Sequence, residues 1–240
     1  MTHVVAHRGY PTVAPENTLP AFAAALRAGA TIVEFDVRCT RDGVPVVIHD
    51  RTVDRTTDGS GRVWDLTAAE IARLDAGSWF GPGFTGLRVP TLVETLDLLA
   101  PATAELLVEI KPPATLDEVK SIIAQLGERD LLDRSVVQSF DADVLRKVRD
   151  VAPEVRRGLL LFRFDGETVE IARELGVTYC NPPVDDVLNG PETMAALTAA
   201  GVGVMPWTPN DMARWRPLVD AGAAGLITDL VGELTGWVNA

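Results

Sequence analysis

The fold is indicated most clearly by the stretch T-I-V-E-F-D-V-R-C-T-R-D-G-V-P-V-V-I-H-D, residues 31–50. Its first part, 31–37, is a near-continuous apolar run, as expected of a strand that is covered on both faces. Glu34 and Asp36 interrupt the run two residues apart, so their side chains point to the same face. The stretch therefore predicts a buried parallel strand that carries two carboxylates on one side.

Strand-like and helix-like segments alternate along the rest of the chain. Strands are predicted at 3–8, 31–37, 105–110, 135–139, 156–161, 177–181, 202–208 and 225–228. Helices are predicted at 19–28, 91–99, 116–129, 141–151, 166–175, 191–200, 210–221 and 230–238. Eight such units in 240 residues predict an α/β protein, a (β/α)₈ TIM barrel formed by one domain, 1–240. An open doubly wound sheet fits less well, because no G-x-G-x-x-G follows the first strand.

A hairpin is predicted directly after the second strand. Asp42-Gly43 between two β-rich runs is a strong hairpin signal. With these two residues as the loop, Asp36 lies opposite His49, and opposed side chains share a face. A longer loop would shift the register by one residue and turn His49 to the other face.

Residues 51–90 form an insertion after the second strand, and they break the alternation. The segment is rich in Gly, Thr and Asp, with one short helix predicted at 67–75. At 40 residues it is short for an independent domain. We predict a small cap over one side of the barrel mouth, with Trp64, Trp79 and Phe80 packed in its core, because aromatic side chains more often pack than recognise ligands.

Polar residues recur where the other strands end. His7 ends the first predicted strand, and Glu109 and Lys111 end the third on a common face. TIM-barrel enzymes carry their catalytic groups at this carboxyl end of the strands. Together with Glu34 and Asp36, Glu109 forms an all-oxygen site that suits Mg²⁺, Ca²⁺ or Mn²⁺ rather than zinc. One divalent cation is therefore predicted there.

Histidine and basic side chains complete the predicted site. Two histidines that flank a cation, His7 and His49, can divide the work of acid and base. Arg8 and Lys111 add positive charge for a phosphate oxygen. A single histidine near a strand end is more often structural than catalytic, so the argument for His49 depends on the carboxylates beside it.

Composition and charge narrow the class of function. The formal net charge of −12 disfavours a nucleic-acid-binding role, because an acidic surface repels polyanions. Cys39 and Cys180 belong to no Cys/His cluster, so they are expected to be reduced core thiols rather than zinc ligands. No leader pattern precedes the first strand and no run approaches 18 apolar residues, which predicts a cytoplasmic protein without stable membrane insertion.

A series of short motifs carries a family resemblance. The motifs, in chain order, are His7-Arg8-Gly9, Pro15-Glu16-Asn17-Thr18, Glu34-Phe35-Asp36-Val37, Thr40-Arg41-Asp42-Gly43, His49-Asp50, Arg55-Thr56-Thr57-Asp58-Gly59-Ser60-Gly61, Pro90-Thr91-Leu92, Glu109-Ile110-Lys111, Gln138-Ser139-Phe140, Trp207-Thr208-Pro209-Asn210 and Thr228-Asp229. Together they closely resemble the glycerophosphodiester phosphodiesterase family, of the barrel superfamily that includes the phosphatidylinositol phospholipases C. The resemblance covers essentially the whole chain and is most specific in its first 60 residues.

The resemblance implies an activity and a role for each motif. The implied reaction hydrolyses a small-molecule glycerophosphodiester to sn-glycerol 3-phosphate and an alcohol, with one divalent metal. The implied roles are catalysis for His7 and His49, metal binding for Glu34, Asp36 and Glu109, and substrate binding for Arg8, Lys111 and Trp207. Prolines at 206 and 209 depart from the family pattern around Trp207.

Several alternatives stay open at the level of sequence. Two alternatives are compatible with these motifs. One is a related phosphodiesterase that acts on lysophospholipids, and the other is a barrel that binds phosphodiesters without cleaving them. A glycosidase fits less well, because its two carboxylates usually come from different strands and the histidine pair would have no role. The attacking group is either water or the glycerol hydroxyl next to the ester, through a cyclic phosphate.

Overall fold

The computed structural model describes residues 2–240, in which nine strands form one curved sheet. The strands are β1 (His3–Ala6), β2 (Ile32–Cys39), β3 (Pro45–Val47), β4 (Glu105–Ile110), β5 (Ser135–Ser139), β6 (Arg156–Leu160), β7 (Tyr179–Asn181), β8 (Gly203–Val204) and β9 (Gly225–Thr228). Eight of them are parallel in the order β8-β7-β6-β5-β4-β2-β1-β9, and β3 pairs antiparallel with β2. Each of the eight predicted strands is present, within a few residues at its ends.

Helices connect the parallel strands. They are α1 (Leu19–Arg27), α2 (Ala68–Ile71), α3 (Leu92–Leu99), α4 (Leu116–Gly127), α5 (Ala142–Val151), α6 (Glu167–Leu175), α7 (Val184–Asn189), α8 (Pro191–Ala199), α9 (Trp215–Asp220) and α10 (Val231–Val238). The sequence analysis did not predict α7. Within residues 2–240, no helix is both long and apolar enough to cross a membrane.

The sheet closes on itself between β8 and β9. On one side of β1, four of its residues pair in parallel with β9. On the other side of β9, toward β8, the amide of Ala224 donates to the carbonyl of Val204 at 2.8 Å. The amide of Ile227 donates to the carbonyl of Pro206 at 3.0 Å. These bonds complete the ring, so the predicted (β/α)₈ TIM barrel is confirmed.

Strand β2 shows how alternation divides the interior into two layers. Val33 and Phe35 point outward and are buried in the main core between sheet and helices. Ile32 points inward and packs in the barrel lumen with Val5, Leu107, Val136, Met205 and Ile227. Glu34 and Asp36 follow Ile32 on the inward face, above this apolar plug. The plug therefore closes the lumen from below and leaves the carboxylates at its upper end.

The predicted hairpin register is wrong by one residue. The observed pairs are Val37 with Val47, Arg38 with Val46 and Cys39 with Pro45. The amide of Thr40 donates to the carbonyl of Val44 at 3.0 Å, so the loop has three residues, 41–43. Gly43 ends that loop at a φ of +78°, the left-handed position that a three-residue hairpin loop needs. The Asp-Gly pair thus marked the right turn but not its length.

His49 nevertheless reaches the inward side, because the ladder ends before it. Asp36 lies opposite Ile48, whose amide donates to the carbonyl of Asp36 at 2.9 Å. Strand β3 stops at Val47, so residues beyond it are free of strict alternation. The Nε of Arg38 donates to the carbonyl of His49 at 2.9 Å and fixes the backbone there.

The insertion has a small aliphatic core that it shares with the hairpin. Its buried residues are Val46, Ile48, Val53, Val63, Ile71, Ala76 and Val89. The prediction of an aromatic core is wrong, because Trp79 is 43 % exposed and packs edge to face with Phe80 instead. The amide of Ala68 donates to Asp42 Oδ1 at 2.9 Å, which ties α2 to the hairpin loop.

Candidate active site

The carboxyl ends of the strands surround a pocket of about 390 Å³ that opens to solvent. It is lined by His7, Arg8, Glu34, His49, Glu109, Lys111, Gln138, Phe140, Leu160, Trp207 and Ile227. Seven of the eight residues predicted for the site are in this lining. The eighth, Asp36, is buried directly beside Lys111, with which it forms an ion pair.

Three carboxylates meet at the base of the pocket. Asp36 and Glu109 are register partners on the neighbouring strands β2 and β4, and Glu34 shares the face of Asp36. One oxygen from each of the three lies within 4.8 Å of the others, so the cluster could hold a metal ion. Glu34 and Asp36 are each only 1 % exposed. Burying an unpaired anion costs on the order of several kcal/mol, so the cluster needs positive charge beside it.

Two protein cations supply part of that charge. Lys111 Nζ lies 2.9 Å from Asp36 Oδ1 and 2.6 Å from Glu109 Oε1. Arg8 Nε lies 3.5 Å from Asp36 Oδ2. Within the cluster, two positive charges therefore face three carboxylates.

The pKa values of the carboxyls show that this compensation is incomplete. Burial would raise the pKa of Asp36, but the charges of Lys111 and Arg8 hold it well below its usual range. Burial and the charge of Asp36 raise the pKa of Glu34 well above its ordinary value. The same two causes raise the pKa of Glu109 to about 7. A divalent cation among the three oxygens would allow all of them to be ionised, so these residues fit such an ion.

The turn after β1 presents backbone to the cluster. The amide of Arg8 donates to Glu34 Oε2 at 2.7 Å. Arg8 has a φ of +56° and Gly9 a φ of +87°, so both lie in the left-handed region. A Cβ at Gly9 would lie 2.8 Å from backbone and side-chain atoms of Ala21, so only glycine fits there. For Arg8 this conformation costs about 1–2 kcal/mol, a strain typical of functional sites.

Asn17 supports the cluster from the loop before α1. Its Nδ2 donates to Asp36 Oδ2 at 2.7 Å, and its Oδ1 accepts from the amide of Asp36 at 3.2 Å. Asn17 lies just before the first helix, where an Asn can also serve as a helix cap. Thr18, not Asn17, holds the N-cap position of α1. Asn17 therefore positions Asp36.

Each histidine of the pocket has a carboxylate partner on Nδ1. His7 Nδ1 lies 2.7 Å from Asp229 Oδ1, and Asp229 also accepts from Asn210 Nδ2 at 2.6 Å. His49 Nδ1 lies 2.6 Å from Asp50 Oδ1. A carboxylate on Nδ1 fixes the tautomer and leaves Nε2 for proton exchange. The sequence analysis named the Thr228-Asp229 motif but gave Asp229 no role; the signal for it was its place directly after the last strand.

The environment of His49 favours its neutral form. Burial lowers its pKa, and this outweighs the nearby charge of Asp36, which acts in the opposite direction. Lys111 and Arg8 also disfavour a second positive charge at this position. The imidazole of His49 is therefore available to accept a proton.

Two side-chain amides, those of Asn181 and Gln138, bond to each other across strand β6 and reach Glu34. Asn181 Nδ2 donates to Gln138 Oε1 at 2.7 Å, and Gln138 Nε2 lies 3.5 Å from Glu34 Oε1. Gln138 is on β5 and Asn181 on β7, two strands apart, or about 9.5 Å. They meet because Gly158 on β6 has no side chain. A Cβ at Gly158 would lie 3.1 Å from Gln138 Cβ and 3.4 Å from Asn181 Nδ2.

Three aromatic rings, which we call the aromatic wall, pack in series beside the pocket, and two of them, Phe140 and Trp207, line it. Phe140 packs edge to face with Trp207 at 5.8 Å and stacks with Phe162 at 4.2 Å. Trp207 lines the pocket despite the flanking prolines, and its Nε1 donates to the carbonyl of Asn181 at 2.7 Å. Phe162 is 74 % exposed. Behind the wall an open groove of about 810 Å³ shares Phe140 and Leu160 with the pocket.

A closed parallel barrel that gathers acidic and histidine side chains at its strand ends defines a TIM-barrel enzyme with a candidate metal site. The sequence model of the Glycerophosphoryl diester phosphodiesterase family matches residues 7–233. The chain therefore belongs to this family and is a phosphoric diester hydrolase.

Known proteins similar to this chain carry the same activity in their names. A glycerophosphodiester phosphodiesterase of Caldanaerobacter subterraneus is 37% identical over 95% of this chain and 94% of its own length. A glycerophosphodiester phosphodiesterase of Agrobacterium tumefaciens has a crystal structure with a TM-score of 0.87 and 30% identity, covering 98% of this chain and 100% of that one. A phosphodiesterase of Oleispira antarctica, in complex with the product sn-glycerol-3-phosphate, has a TM-score of 0.90 and 28% identity, covering 98% and 96%.

Proposed function

We propose that this protein hydrolyses glycerophosphodiesters to sn-glycerol 3-phosphate and an alcohol, with a divalent cation and two histidines. The observation that carries the proposal is one pocket with three clustered carboxylates and two histidines, each bonded to a carboxylate through Nδ1. The product-bound Oleispira neighbour supports the substrate class, because it holds sn-glycerol-3-phosphate on the same fold.

Glu34, Asp36 and Glu109 are the proposed ligands of one divalent cation, Mg²⁺, Ca²⁺ or Mn²⁺. Their oxygens are hard donors of the kind that these ions prefer. When bound, such an ion polarises a phosphoryl oxygen and offsets the negative charge that grows on the phosphate. Asn17 and the amide of Arg8 hold two of the carboxylates in place.

His7 and His49 are proposed to move the protons of the reaction. One histidine, neutral, takes a proton from the attacking water as the water oxygen bonds to phosphorus. The other, protonated, gives its proton to the alcohol oxygen as the bond from phosphorus to that oxygen breaks. Asp229 and Asp50 orient the rings, and each stabilises the imidazolium that forms beside it.

Arg8, Lys111 and Trp207 are proposed to bind the substrate. Arg8 and Lys111 line the pocket and bring the positive charge that a phosphate needs. Trp207 offers an apolar face for the carbon skeleton. We further propose that residues 1–240 act as one domain, with residues 51–90 as a cap at the pocket.

An activity panel tests the proposed function. Glycerophosphocholine and glycerophosphoethanolamine are incubated with the protein after chelation and after addition of Mg²⁺, Ca²⁺ or Mn²⁺. We expect release of glycerol 3-phosphate with at least one ion and none after chelation. If no ion supports release, a barrel that only binds phosphodiesters explains the site better. Activity that survives thorough chelation would contradict the proposed role of the cation.

Lysophospholipids are a second candidate substrate class, favoured by one observation. The groove behind the aromatic wall is lined by apolar side chains such as Leu159 and Ile171, and it shares Phe140 and Leu160 with the pocket. An acyl chain on the glycerol would bury these surfaces. Comparing lysophosphatidylcholines of increasing chain length with glycerophosphocholine tests this: kcat/KM should rise with chain length, and more weakly in Phe162→Ala. A rate that falls with chain length would exclude this substrate class.

A further inference from the structure

An unbroken series of ion pairs runs along the rim of the pocket from Arg8 to His49. Arg8 Nη1 donates to Glu16 Oε1 at 2.9 Å. Arg55 then donates to Glu16 on one side and to Asp50 on the other. Asp50 in turn bonds to His49 Nδ1. We call Arg8, Glu16, Arg55, Asp50 and His49 the ion chain; the charges of its first four members alternate in sign, and its two ends, Arg8 and His49, line the pocket.

Arg55 stands at the centre of the ion chain and makes four hydrogen bonds. Its Nη1 and Nη2 donate to the two oxygens of Glu16, both at 2.8 Å. Its Nε and Nη2 donate to the two oxygens of Asp50 at 2.7 and 3.1 Å. Only a guanidinium has the planar arrangement of donors for two such bidentate pairs at once. The geometry is therefore specific to arginine and not to positive charge alone.

Arg55 comes from the insertion, whereas its partners belong to two other segments. Glu16 lies in the loop between β1 and α1, and Asp50 follows the hairpin strand β3. In the ion chain, Arg55 is the residue that joins these two segments. The pairs from Arg55 hold Glu16 and Asp50 strongly enough to lower the pKa of each.

We propose that Arg55 is a positioning residue through which the insertion aligns His49 and Arg8 in one pocket. Through Asp50 it orients the imidazole of His49, and through Glu16 it orients the guanidinium of Arg8. The inference rests on the proposed function and extends it, because it assigns the insertion a part in catalysis. Arg55 does not line the pocket, so it acts on the reaction through its partners.

Stability alone does not account for this arrangement. Arg55 is 45 % exposed and Glu16 13 % exposed, and a bidentate network of this kind can add to the free energy of unfolding, but such a contribution needs no link to the pocket. The insertion is already held by its aliphatic core and by the contact between Asp42 and α2. A bidentate pair on each side of one guanidinium, with both branches ending in the pocket, corresponds to a role in alignment.

Kinetic measurements on Arg55→Met and Arg55→Lys, with glycerophosphocholine and a saturating divalent ion, test the inference. We expect kcat/KM to fall about 10- to 100-fold in Arg55→Met, the usual effect of removing a partner of this kind. Arg55→Lys should recover only part of the loss, because an ammonium lacks the two-sided fork. The matched control is Arg73→Met, an exposed arginine of the same insertion, which should behave as wild type.

The two branches of the ion chain can be separated. Glu16→Gln weakens the hold on Arg8 and should mainly raise KM, whereas Asp50→Asn disturbs His49 and should mainly lower kcat. In Arg55→Met, Asp50 loses the cation that balances it, so the pKa of His49 should rise and the acid limb of the pH profile should move to higher pH. The other charged groups that face His49 are Asp36, Lys111 and Arg8, and none of these variants replaces them.

The outcomes distinguish this inference from the proposed function. If wild type is active and both Arg55 variants match its kcat/KM and its pH profile, Arg55 has no positioning role. A loss of activity that appears only with a lower melting temperature, and without a shift of the pH profile, would also overturn it. If wild type shows no activity, the proposed function fails; an NMR titration of His49 in wild type and Arg55→Lys then still shows whether Arg55 acts on that ring.

Discussion

Each histidine of the pocket is held by a carboxylate on Nδ1, but the two carboxylates lie far apart in the sequence. His7 is paired with Asp229, 222 residues away, whereas His49 is paired with its neighbour Asp50. In both pairs the carboxylate engages Nδ1, which leaves Nε2 as the atom that can exchange a proton with a substrate. Because the two histidines are bonded alike, only their surroundings can decide which acts as base and which as acid. Burial lowers the pKa of His49 and favours its neutral form.

Replacing either histidine should remove turnover without removing the fold. His7→Ala and His49→Ala are each expected to lower kcat by about 10²–10⁴-fold, the usual contribution of a general acid or base. The carboxylate cluster stays intact in both, so affinity for the divalent ion should change little. Steady-state kinetics and calorimetric metal titration check this; a wild-type rate in either variant would rule out the two-histidine mechanism. The exposed His3 provides the matched control, His3→Ala.

At this scale, residue spacing predicted which groups share a face but not how they bond. Alternation on β2 correctly brought Glu34 and Asp36 together, because the period of two is fixed by the backbone. The position of His49 was predicted from a register that is wrong, and it reaches the pocket because β3 ends at Val47. The pairing of His7 with Asp229 depends on barrel closure, which no local spacing encodes.

Strand β6 contributes to the site because its residue Gly158 has no side chain. Gly158 separates Gln138 and Asn181 and lets their amides bond across a strand. The same bond holds Gln138 next to Glu34. Strand β6 thus influences the carboxylate of Glu34 without contacting it.

Gly158→Ala should therefore weaken ion binding. The new Cβ would lie 3.1 Å from Gln138 Cβ and 3.4 Å from Asn181 Nδ2, so the two amides must shift, which disturbs the contact between Gln138 and Glu34. We expect metal affinity to fall about 10-fold, the lower end of effects from partners of this kind. Gly236→Ala is the control, because nothing lies within 4 Å of a Cβ there. Unchanged metal affinity in Gly158→Ala would mean that the two amides do not position Glu34.

Asp75 holds the loop of the insertion by accepting several hydrogen bonds. Its oxygens accept from the amides of Gly77, Ser78 and Gly86 at 2.7–2.8 Å. The amide donors hold the pKa of Asp75 below its usual range. A group with a lowered pKa stabilises the fold above its unfolded pKa and loses this contribution as pH falls through its folded value.

Asp75→Asn should accordingly lower the melting temperature near neutral pH, since the amide nitrogen of Asn cannot accept. The difference from wild type should narrow as the pH falls below about 4, where Asp75 begins to protonate in the unfolded chain while the folded protein still holds it ionised. Thermal melts at pH 7 and pH 3 measure both effects, with the exposed Asp220→Asn as control. A difference that is equal at both pH values would contradict the role of the ionised carboxylate.

Element boundaries were predictable where local chemistry marks them. Asp141 caps α5 by accepting from the amide of Asp143, and Gly176 ends α6 in the left-handed region. Helix α7 was missed, because Pro183 and Gly190 enclose only six residues that look like a loop. The cap core was wrong for a different reason: short aliphatic residues fill the narrow space beside the hairpin, and large rings do not.

For the whole molecule, electrostatics and stability are coupled at the carboxylate cluster. The chain carries a net charge of −12, and three of its carboxyl groups, Glu34, Asp36 and Glu109, are buried in the barrel. Any ion that binds the folded state and not the unfolded chain stabilises the fold by mass action. The cluster is thus a site where the stability of the entire barrel depends on a solute.

Adding a divalent ion to the chelated protein should therefore raise its melting temperature. At 100 times the dissociation constant the gain is about 2.7 kcal/mol, which corresponds to about 5–10 °C for a chain of this size. Differential scanning fluorimetry with Mg²⁺, Ca²⁺ and Mn²⁺ measures the shift. Glu34→Gln should reduce it and Glu192→Gln, at an exposed helix position, should not. Equal melting temperatures with and without every ion would mean that the folded protein binds none of them.

The charged and apolar residues that line the pocket come from different halves of the barrel. His7, Arg8, Glu34, His49, Glu109 and Lys111 all precede β5, whereas Gln138, Phe140, Leu160, Trp207 and Ile227 all follow β4. Mutations at the apolar members of the second group can reshape the pocket while the charged residues stay in place, whereas Gln138 is in contact with Glu34. In evolutionary terms, substitutions among the apolar lining residues can change which leaving group is accepted while selection keeps the proposed catalytic residues unchanged. Substrate preference can therefore diverge faster than reaction type.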